Sequence, residues 1–249
     1  METEAKISKG HTLFISDLHL DEAYPEIAAI FLKFLEKEAP KADALYILGD
    51  FFEVWLGDDN RTPFNQKITS KLHELSQKGL SIYLMRGNRD FLLGSTFARE
   101  AGLKLLDDPT QITLYDQPIL LLHGDTLCAL DRQYQYYRYL VHHPLFQAIA
   151  LWAPLFVRRF FGNRMRRYSE AYTKRIAAPL KDVSLEAVIS VLKKSHCHLM
   201  IHGHTHRPAI HALEVEGGKA TRIVLGAWHE RGNALIYRED GTYELLDFN

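Results

Sequence analysis

The most informative stretch of the chain lies at residues 13–19 and reads Leu-Phe-Ile-Ser-Asp-Leu-His. An apolar run of strand length ends there in an aspartate and a histidine two residues apart, Asp17 and His19. Because alternate residues of an extended chain point to the same side, the two side chains can bind one ion together. Alone the pair is weak evidence, since Asp-x-His also occurs in surface turns. Its weight comes from four later segments that supply the same kind of ligand in similar settings.

Working outward from this stretch, apolar strands alternate with amphipathic helices through the first half of the chain. We predict strands at 12–16, 44–48, 80–85, 111–115 and 118–122, and helices at 25–38, 63–78 and 91–101. Such alternation is typical of an α/β fold with a largely parallel sheet. Ligands of these sheets bind outside the carboxyl ends of the strands. We therefore expect the polar motifs that end the strands to converge.

The second half of the chain is organised differently. Residues 131–178 contain no clear strand and are rich in aromatic and basic side chains, so we predict an inserted helical segment there. A helix at 184–194 and a strand at 198–201 follow. The remaining tail alternates like β structure, with predicted strands at 209–215, 221–225, 233–237 and 242–248.

Composition describes an ordinary soluble globular protein, with 47% hydrophobic and 24% charged residues. The net charge of −1 gives no global field that favours nucleic acid, so we expect no such partner. The two cysteines, Cys128 and Cys197, give no disulfide framework and exclude a C-x-x-C metal site. Residues 1–11 lack a signal-peptide core and are predicted to be a flexible lead-in. We expect a cytoplasmic protein.

Seven candidate metal ligands, all oxygen or imidazole donors, follow the predicted strands. They are Asp17, His19, Asp50, Asn88, His123, His204 and His206. This donor mixture suits Mn²⁺, Fe²⁺ or Zn²⁺ better than Ca²⁺. Seven donors exceed the needs of one ion but suit two ions that share a carboxylate. Gly49, Gly87 and Gly203 are expected to allow tight turns that aim the next side chain into the site.

In this order, the motifs Asp-x-His, Gly-Asp, Gly-Asn-x-Asp, a strand-end His and Gly-His-x-His resemble those of the calcineurin-like metallophosphoesterase superfamily. The resemblance spans about residues 12–248. It implies a four-layer α/β/β/α sandwich over residues 12–249, to whose second sheet the β-rich tail contributes. It further implies that one ion is bound by Asp17, His19, Asp50 and His206, and the other by Asp50, Asn88, His123 and His204.

One position departs from that superfamily. Many members carry a histidine after the motif asparagine, where it can protonate the leaving group, whereas this chain has Arg89. Arginine stays charged at physiological pH and cannot act as a general acid, but it binds phosphate oxygens well. A phosphate leaving group needs little protonation, so Arg89 favours cleavage of a phosphoanhydride. The alternative is a structural ion pair of Arg89 with Asp90 or Asp125.

The inserted segment joins an apolar stretch at 145–157, too short to span a bilayer, to a cluster of basic residues. The cluster contains Arg158, Arg159, Arg164, Arg166 and Arg167. This combination suits an anionic membrane surface or an acyl-chain pocket. The alternative is a helical cap that packs on the core and presents a solvated basic face.

Longer runs narrow the resemblance: GNRDFLLG at 87–94, HGDTLC at 123–128 and IHGHTHRP at 201–208 look like the UDP-2,3-diacylglucosamine hydrolases of bacterial lipid A synthesis. This resemblance implies two-metal attack of water on the α-phosphorus, giving UMP and 2,3-diacylglucosamine 1-phosphate, with Mn²⁺ favoured. It implies a lipid-linked nucleotide substrate and peripheral association with the cytoplasmic face of the inner membrane. It also implies that the insert, about 131–178, is a lid over the acyl chains. We expect a monomer.

The same resemblance assigns roles to individual residues. The catalytic set is Asp50, Asn88, Arg89 and His204. The substrate contacts are Asn88, Arg89, Asp131, Arg166, Ser169 and His204. Thr173 and Lys174 are further candidates, but the run Ala-Tyr-Thr-Lys at 171–174 does not align cleanly with the Asn and Lys of the family.

Two other functions fit parts of the pattern. A two-metal hydrolase of soluble nucleotides, dinucleoside polyphosphates or cyclic nucleotides, would use the same ligands but has no need of the aromatic insert. A metal-free scaffold of the same fold would be expected to have lost ligands, whereas all seven positions are filled here.

Overall fold

The chain folds into two β-sheets with helices on their outer faces, seen in a computed structural model that describes residues 10–175 and 182–249, without the side chains of residues 170 and 173–175. The strands are β1 (His11–Ile15), β2 (Ala44–Leu48), β3 (Ser81–Met85), β4 (Lys104–Leu106), β5 (Thr110–Leu114), β6 (Gln117–Leu122), β7 (Leu199–His202), β8 (Ala209–Val215), β9 (Gly218–Val224), β10 (Gly232–Arg238) and β11 (Tyr243–Phe248). The helices are α1 (Pro25–Lys37), α2 (Pro63–Gln77), α3 (Ser95–Ala101), α4 (Arg132–His142), α5 (Pro144–Trp152), α6 (Leu155–Arg175) and α7 (Leu185–Ser195).

The first sheet has six strands in the order β11-β10-β1-β2-β3-β4, and the second has five in the order β5-β6-β7-β9-β8. Strands β1 to β4 run parallel, as do β6, β7 and β9. The remaining pairings are antiparallel. Each sheet therefore has a central parallel part, whose carboxyl ends can carry a common site.

Alternating side chains of the strands fill three separate apolar layers. In β2, Leu45 and Ile47 pack on α1 and α2, whereas Tyr46 and Leu48 point into the space between the sheets. The outer face of the second sheet, which includes Met200, packs on α7. Helices outside both sheets and apolar layers between all the layers make the predicted α/β/β/α sandwich.

The β-rich tail divides between the two sheets. Strands β8 and β9 belong to the second sheet, as expected, but β10 and β11 return to the first, where β10 pairs antiparallel with β1. The prediction was wrong for this last hairpin because strand pairing is a long-range contact with no local signature. Strand β4, of three residues, was not predicted at all. The first strand begins at His11, one residue inside the predicted lead-in.

Helix α3 begins at Ser95, four residues later than the predicted start at residue 91. The backbone N–H groups of Gly94 and Phe97 donate to the carboxylate of Asp58, at 3.0 and 2.9 Å. A side chain distant in sequence thus satisfies N–H groups that every helix start leaves without partners. Local sequence cannot show where such a helix begins.

The insert forms helices α4, α5 and α6 in its described part, residues 131–175. Arg138 of α4 joins it to the core, donating to Asp125 at 2.7 Å and to Asp108 at 2.9 Å. Arg158 of α6 is buried against the carboxylate of Asp59, with one N–O distance of 2.7 Å. Across the described residues, no helix has the length and apolarity needed to cross a bilayer.

Candidate metal centre

The candidate ligands come together because the strands that carry them end at the same edge. Asp17 and His19 follow β1, Asp50 follows β2, and Asn88 follows β3. From the second sheet, His123 follows β6 directly, while His204 and His206 follow β7. The convergence expected from the strand-end positions is what the structure shows.

Five of these residues have a left-handed backbone conformation that side chains other than glycine seldom adopt. Their φ angles are 55° for Asp17, 51° for His19, 48° for Asp50, 69° for His204 and 57° for His206. Each such residue costs roughly 1–3 kcal/mol unless its surroundings hold it in place. Strain of this kind concentrates at functional sites, where a side chain is needed at a turn that would otherwise favour glycine.

The first group of donors contains Asp17, His19 and His206, whose ligand atoms lie within 4.8 Å of one another. Nε2 of His206 is 3.3 Å from Oδ1 of Asp17 and 3.3 Å from Nε2 of His19. The other carboxylate oxygen of Asp17 accepts hydrogen bonds from the Ser16 hydroxyl at 2.6 Å and the His204 backbone N–H at 2.8 Å. These bonds fix the carboxylate with Oδ1 facing the two histidines.

The second group contains Asp50, His123 and His204, also within 4.8 Å. His123 is fully buried, and its Nδ1–H donates to the backbone carbonyl of Leu48 at 2.9 Å. Its Nε2 therefore faces the site, 3.0 Å from Oδ1 of Asn88 and 3.7 Å from Oδ1 of Asp50.

Asp50 lies between the two groups. Oδ1 is 3.7 Å from Nε2 of His123, and Oδ2 is 3.9 Å from Nε2 of His19. The backbone N–H of Arg89 donates to Oδ1 at 2.8 Å and helps to hold this orientation. One carboxylate thus presents one oxygen to each group, as required of a residue that bridges two ions.

Gly49, Gly87 and Gly203 matter mainly because they leave space for the side chains of neighbouring ligands. A Cβ on Gly87 would lie 2.2 Å from Oδ1 of Asp50, and one on Gly203 would lie 2.2 Å from Oδ2 of Asp17. Only Gly49, with φ of 90°, needs the left-handed region as well. The expectation that all three supply tight turns was right for Gly49, while the other two allow close approach.

The chemistry of the donors fits divalent cations. Nε2 of a neutral His123 is an acceptor, and it faces two further acceptor oxygens from Asn88 and Asp50. Oδ1 of Asp17 is buried and, among the described residues, accepts no hydrogen bond. Convergent acceptors of this kind repel one another unless a proton or a metal ion lies between them.

Burial and the surrounding charges move the pKa values of the site histidines in opposite directions. Burial lowers the pKa of His123, but the nearby carboxylates, above all that of Asp50, outweigh it and raise that pKa to about 9. Burial and the neighbouring His123 lower the pKa of His204 to about 4. His204 is therefore a neutral donor at pH 7, whereas His123 must lose a proton before it can bind a metal.

A family model described as calcineurin-like phosphoesterase matches residues 10–208. The chain belongs to the calcineurin-like phosphoesterase family. It is 52% identical to the UDP-2,3-diacylglucosamine hydrolase of Coxiella burnetii (strain RSA 331 / Henzerling II) over 238 residues, 96% of this chain and 98% of that protein. It is 46% identical to the protein of the same name from Escherichia coli O9:H4 (strain HS) over 237 residues, 95% of this chain and 98% of that one.

Among solved structures, vacuolar protein sorting 29 of Cryptosporidium parvum is similar to this chain with a TM-score of 0.49. The two chains are 12% identical, and the match covers 96% of each.

In this phosphoesterase, Arg89 makes neither of the structural ion pairs considered from the sequence. Its guanidinium lies 3.4 Å from Oε1 of Glu53. Asp90 instead accepts from three backbone N–H groups, those of Gly87, Phe51 and Phe52, at 2.7, 2.7 and 3.3 Å. Asp90 thereby ties the loop after β3 to the loop after β2, a role that the motif spacing alone did not indicate.

Two further carboxylates beside the site were missed by sequence reasoning. Oε2 of Glu53 lies 2.9 Å from Nδ1 of His19. Asp125, fully buried, accepts from the Tyr134 hydroxyl at 2.8 Å and from Arg138. Asp125 stands in the HGDTLC run and could have been singled out there, whereas Glu53 follows two phenylalanines with no distinctive spacing.

The insert residues predicted to bind substrate occupy different settings. Arg166 reaches the site and lies 2.7 Å from Asp21 and 3.3 Å from Glu53. Asp131 caps α4, and both its oxygens accept from the Tyr172 hydroxyl, at 2.8 and 3.0 Å, which joins α4 to α6. Ser169, one turn after Arg166, is half-buried. The side chains of Thr173 and Lys174 lie outside the described residues.

The five arginines of the basic cluster, residues 158–167, do not form one surface. Arg158 is only 8% exposed and Arg166 faces the metal centre, so neither belongs to a solvated basic face. The apolar side chains of the segment, in contrast, are strongly exposed. Trp152 is 88% exposed, Phe156 74% and Phe160 64%. Exposed aromatic side chains concentrated in one segment are typical of an interaction surface.

Proposed function

We propose that this chain hydrolyses the diphosphate bond of UDP-2,3-diacylglucosamine in lipid A synthesis. Water attacks the α-phosphorus, UMP retains that phosphorus, and 2,3-diacylglucosamine 1-phosphate leaves. The observation that carries the proposal is the position of Asp50, which turns one oxygen toward each of two donor groups. The identity of 46–52% with hydrolases of that name, over nearly the whole chain, supports the choice of substrate.

The two donor groups support a choice of ligands for two divalent ions. We propose Asp17, His19, Asp50 and His206 for one ion, and Asp50, Asn88, His123 and His204 for the other. Mixed carboxylate, amide and imidazole donors suit Mn²⁺, which is our choice of ion. A pair of bound ions supplies a nucleophile at neutral pH and offsets negative charge on the phosphate oxygens.

The remaining polar residues at the site bind and orient the diphosphate. Arg89 and Arg166 point toward the same region, from the core and from the insert respectively, and each can contact phosphate oxygens. Because the leaving group is itself a phosphate, the site needs no general acid, which agrees with arginine rather than histidine at position 89. Asn88 and His204 are further contacts of the diphosphate. Asp131, Ser169, Thr173 and Lys174 are proposed contacts of the sugar.

The insert is proposed to be a lid that covers the acyl chains and rests on the membrane. Exposed Trp152, Phe156 and Phe160 suit an acyl-chain boundary, and exposed Arg159 and Arg164 suit anionic headgroups. The proposed location is the cytoplasmic face of the inner membrane, where the chain binds peripherally as a monomer. Hydrolases of soluble nucleotides have no use for this surface.

An isosteric substitution of the shared carboxylate tests this proposal. Asp50→Asn keeps the volume but removes the charge, so hydrolysis in the presence of Mn²⁺ should fall at least about a thousandfold. The fold should be retained, because the amide oxygen can still accept from the backbone N–H of Arg89, and circular dichroism checks this. Asp107→Asn, at an exposed aspartate, serves as the matched control with full activity. Substantial turnover by Asp50→Asn would contradict the proposal.

A further inference from the structure

Glu53, which the motifs do not include, touches three residues of the centre at once. Oε2 lies 2.9 Å from Nδ1 of His19. Oε1 lies 3.4 Å from Arg89 and 3.3 Å from Arg166. These partners come from the loop after β1, the loop after β3, and helix α6 of the insert. One carboxylate therefore joins three parts of the chain that are far apart in sequence.

The surroundings of Glu53 give its charge a large effect. The residue is only 9% exposed, and its backbone N–H donates to the carbonyl of Leu20 at 3.1 Å. Oε2 of Glu53 lies against His19, and Oε1 lies against both arginines. The side chains of Glu53 and its partners therefore restrict one another's movement. An exposed ion pair would instead be screened by water and weakly ordered.

We propose that Glu53 is a positioning residue for the diphosphate hydrolysis proposed above, on which this inference rests. It sets the tautomer and ring orientation of His19, and it holds Arg89 and Arg166 side by side where the diphosphate binds. Each guanidinium has five N–H donors, so it can contact Glu53 and still offer other N–H groups to the negatively charged substrate.

The first role follows from the two nitrogens of His19. Oε2 of Glu53 lies 2.9 Å from Nδ1 of His19, so the carboxylate favours a proton on Nδ1 and leaves the lone pair on Nε2. That Nε2 faces the centre, 3.3 Å from His206 and 3.9 Å from Asp50. A carboxylate behind a ligating histidine fixes the ring and raises its basicity, and losing such a partner typically costs ~10–100-fold in metal affinity.

The second role follows from charge. Two guanidinium groups that approach the same point repel each other, and the carboxylate between them removes most of that repulsion. Long arginine side chains also lose rotamer freedom when a phosphate binds them. Anchoring both to Glu53 beforehand lowers that cost, so substrate binds to arginines that are already in place.

Two substitutions separate the two roles. In Glu53→Gln, the amide oxygen can still accept from His19, but the amide N–H groups face the arginines and the charge is lost. We expect Mn²⁺ affinity to change less than about threefold and KM to rise at least about tenfold. In Glu53→Ala we expect KM to rise in the same way and Mn²⁺ affinity to fall ~10–100-fold.

Isothermal titration calorimetry with Mn²⁺ alone measures the Mn²⁺ affinity. Steady-state kinetics at saturating Mn²⁺ measure kcat and KM separately. Glu100→Gln, which removes a surface partner of Arg61, is the control and should change neither quantity. Unchanged Mn²⁺ affinity and unchanged KM in both Glu53 variants would overturn the inference even if they melt at a lower temperature. Failure of the unsubstituted protein to turn over would instead refute the proposed function.

Discussion

At the scale of single residues, the centre concentrates left-handed backbone conformations that are rare in the rest of the described chain. Asp17, Asp50 and His204 take left-handed backbone angles although none is glycine. The true glycines stand beside them, because a Cβ at Gly87 or Gly203 would meet a ligand carboxylate. The ligand residues therefore carry the backbone strain, while the neighbouring glycines provide the space that the ligand side chains occupy.

Substitution of Gly87 tests this division. In Gly87→Ala the new Cβ would lie 2.2 Å from Oδ1 of Asp50, so the shared carboxylate must move. We expect activity to fall at least about a hundredfold, because ligand geometry is lost, and stability to fall by about 1–3 kcal/mol. Gly79→Ala is the control, since φ there is 92° with open space around the Cβ. It should cost comparable stability, measured by thermal melting, while activity is retained.

The raised pKa of His123 predicts how Mn²⁺ affinity depends on pH. With a pKa of about 9, His123 carries a proton at neutral pH before an ion binds, and binding must release it. Affinity should therefore increase with pH, up to about tenfold per unit, and level off above the pKa. His204, with its pKa of about 4, adds no such dependence near neutrality. Titrations in buffers of different ionisation enthalpy would reveal proton release, and an affinity that stays constant between roughly pH 6 and pH 8 would contradict the prediction.

At the scale of elements, apolar runs and the residues that end them were enough to predict most of the strands. The runs before Asp17, Asp50 and His123 are buried strands, and their parallel ends place those residues together. The start of α3 could not be predicted, because Asp58 caps it from another segment. The pairing of β10 with β1 could not be predicted either, because no local property of a strand specifies which strand it pairs with.

The junction between insert and core gives a prediction at this scale. Arg138→Met would leave the buried carboxylates of Asp125 and Asp108 without their shared cation. Uncompensated buried charge is costly, so we expect a loss of roughly 3 kcal/mol, measured by urea denaturation. Arg61→Met breaks an ion pair of which both members are well exposed, and should cost less than about 1 kcal/mol. Equal small losses in the two variants would show that Arg138 does not anchor the insert.

At the scale of the whole molecule, a buried two-sheet core carries a centre on one edge and an exposed apolar insert beside it. The seven candidate ligands could be named from the sequence because each follows an apolar run. Glu53 could not, because its three contacts arise only when distant segments meet. The sequence also did not show that Arg158 and Arg166 point away from the rest of the basic cluster, because their partners Asp59 and Asp21 are far away in sequence.

The exposed aromatic residues of the insert predict membrane binding. In the double variant Trp152→Glu and Phe156→Glu, two strongly exposed apolar side chains become anionic. Binding to vesicles that contain anionic lipid should weaken at least about tenfold, measured by co-sedimentation, because apolar burial is lost and charge repulsion is added. Ile210→Glu, a comparable change on β8, should leave binding unchanged. Equal vesicle binding by all of these proteins would exclude the insert as the membrane contact.

The central claim, attack of water on the α-phosphorus of a lipid-linked nucleotide, is tested most directly by phosphorus NMR. The unsubstituted protein is incubated with Mn²⁺ and UDP-2,3-diacylglucosamine in detergent, in water enriched in heavy oxygen. We predict that the label enters UMP and that 2,3-diacylglucosamine 1-phosphate carries none. Label in the lipid phosphate would contradict the proposed site of attack. Cleavage of soluble nucleotides without turnover of the lipid substrate would contradict the proposed function itself.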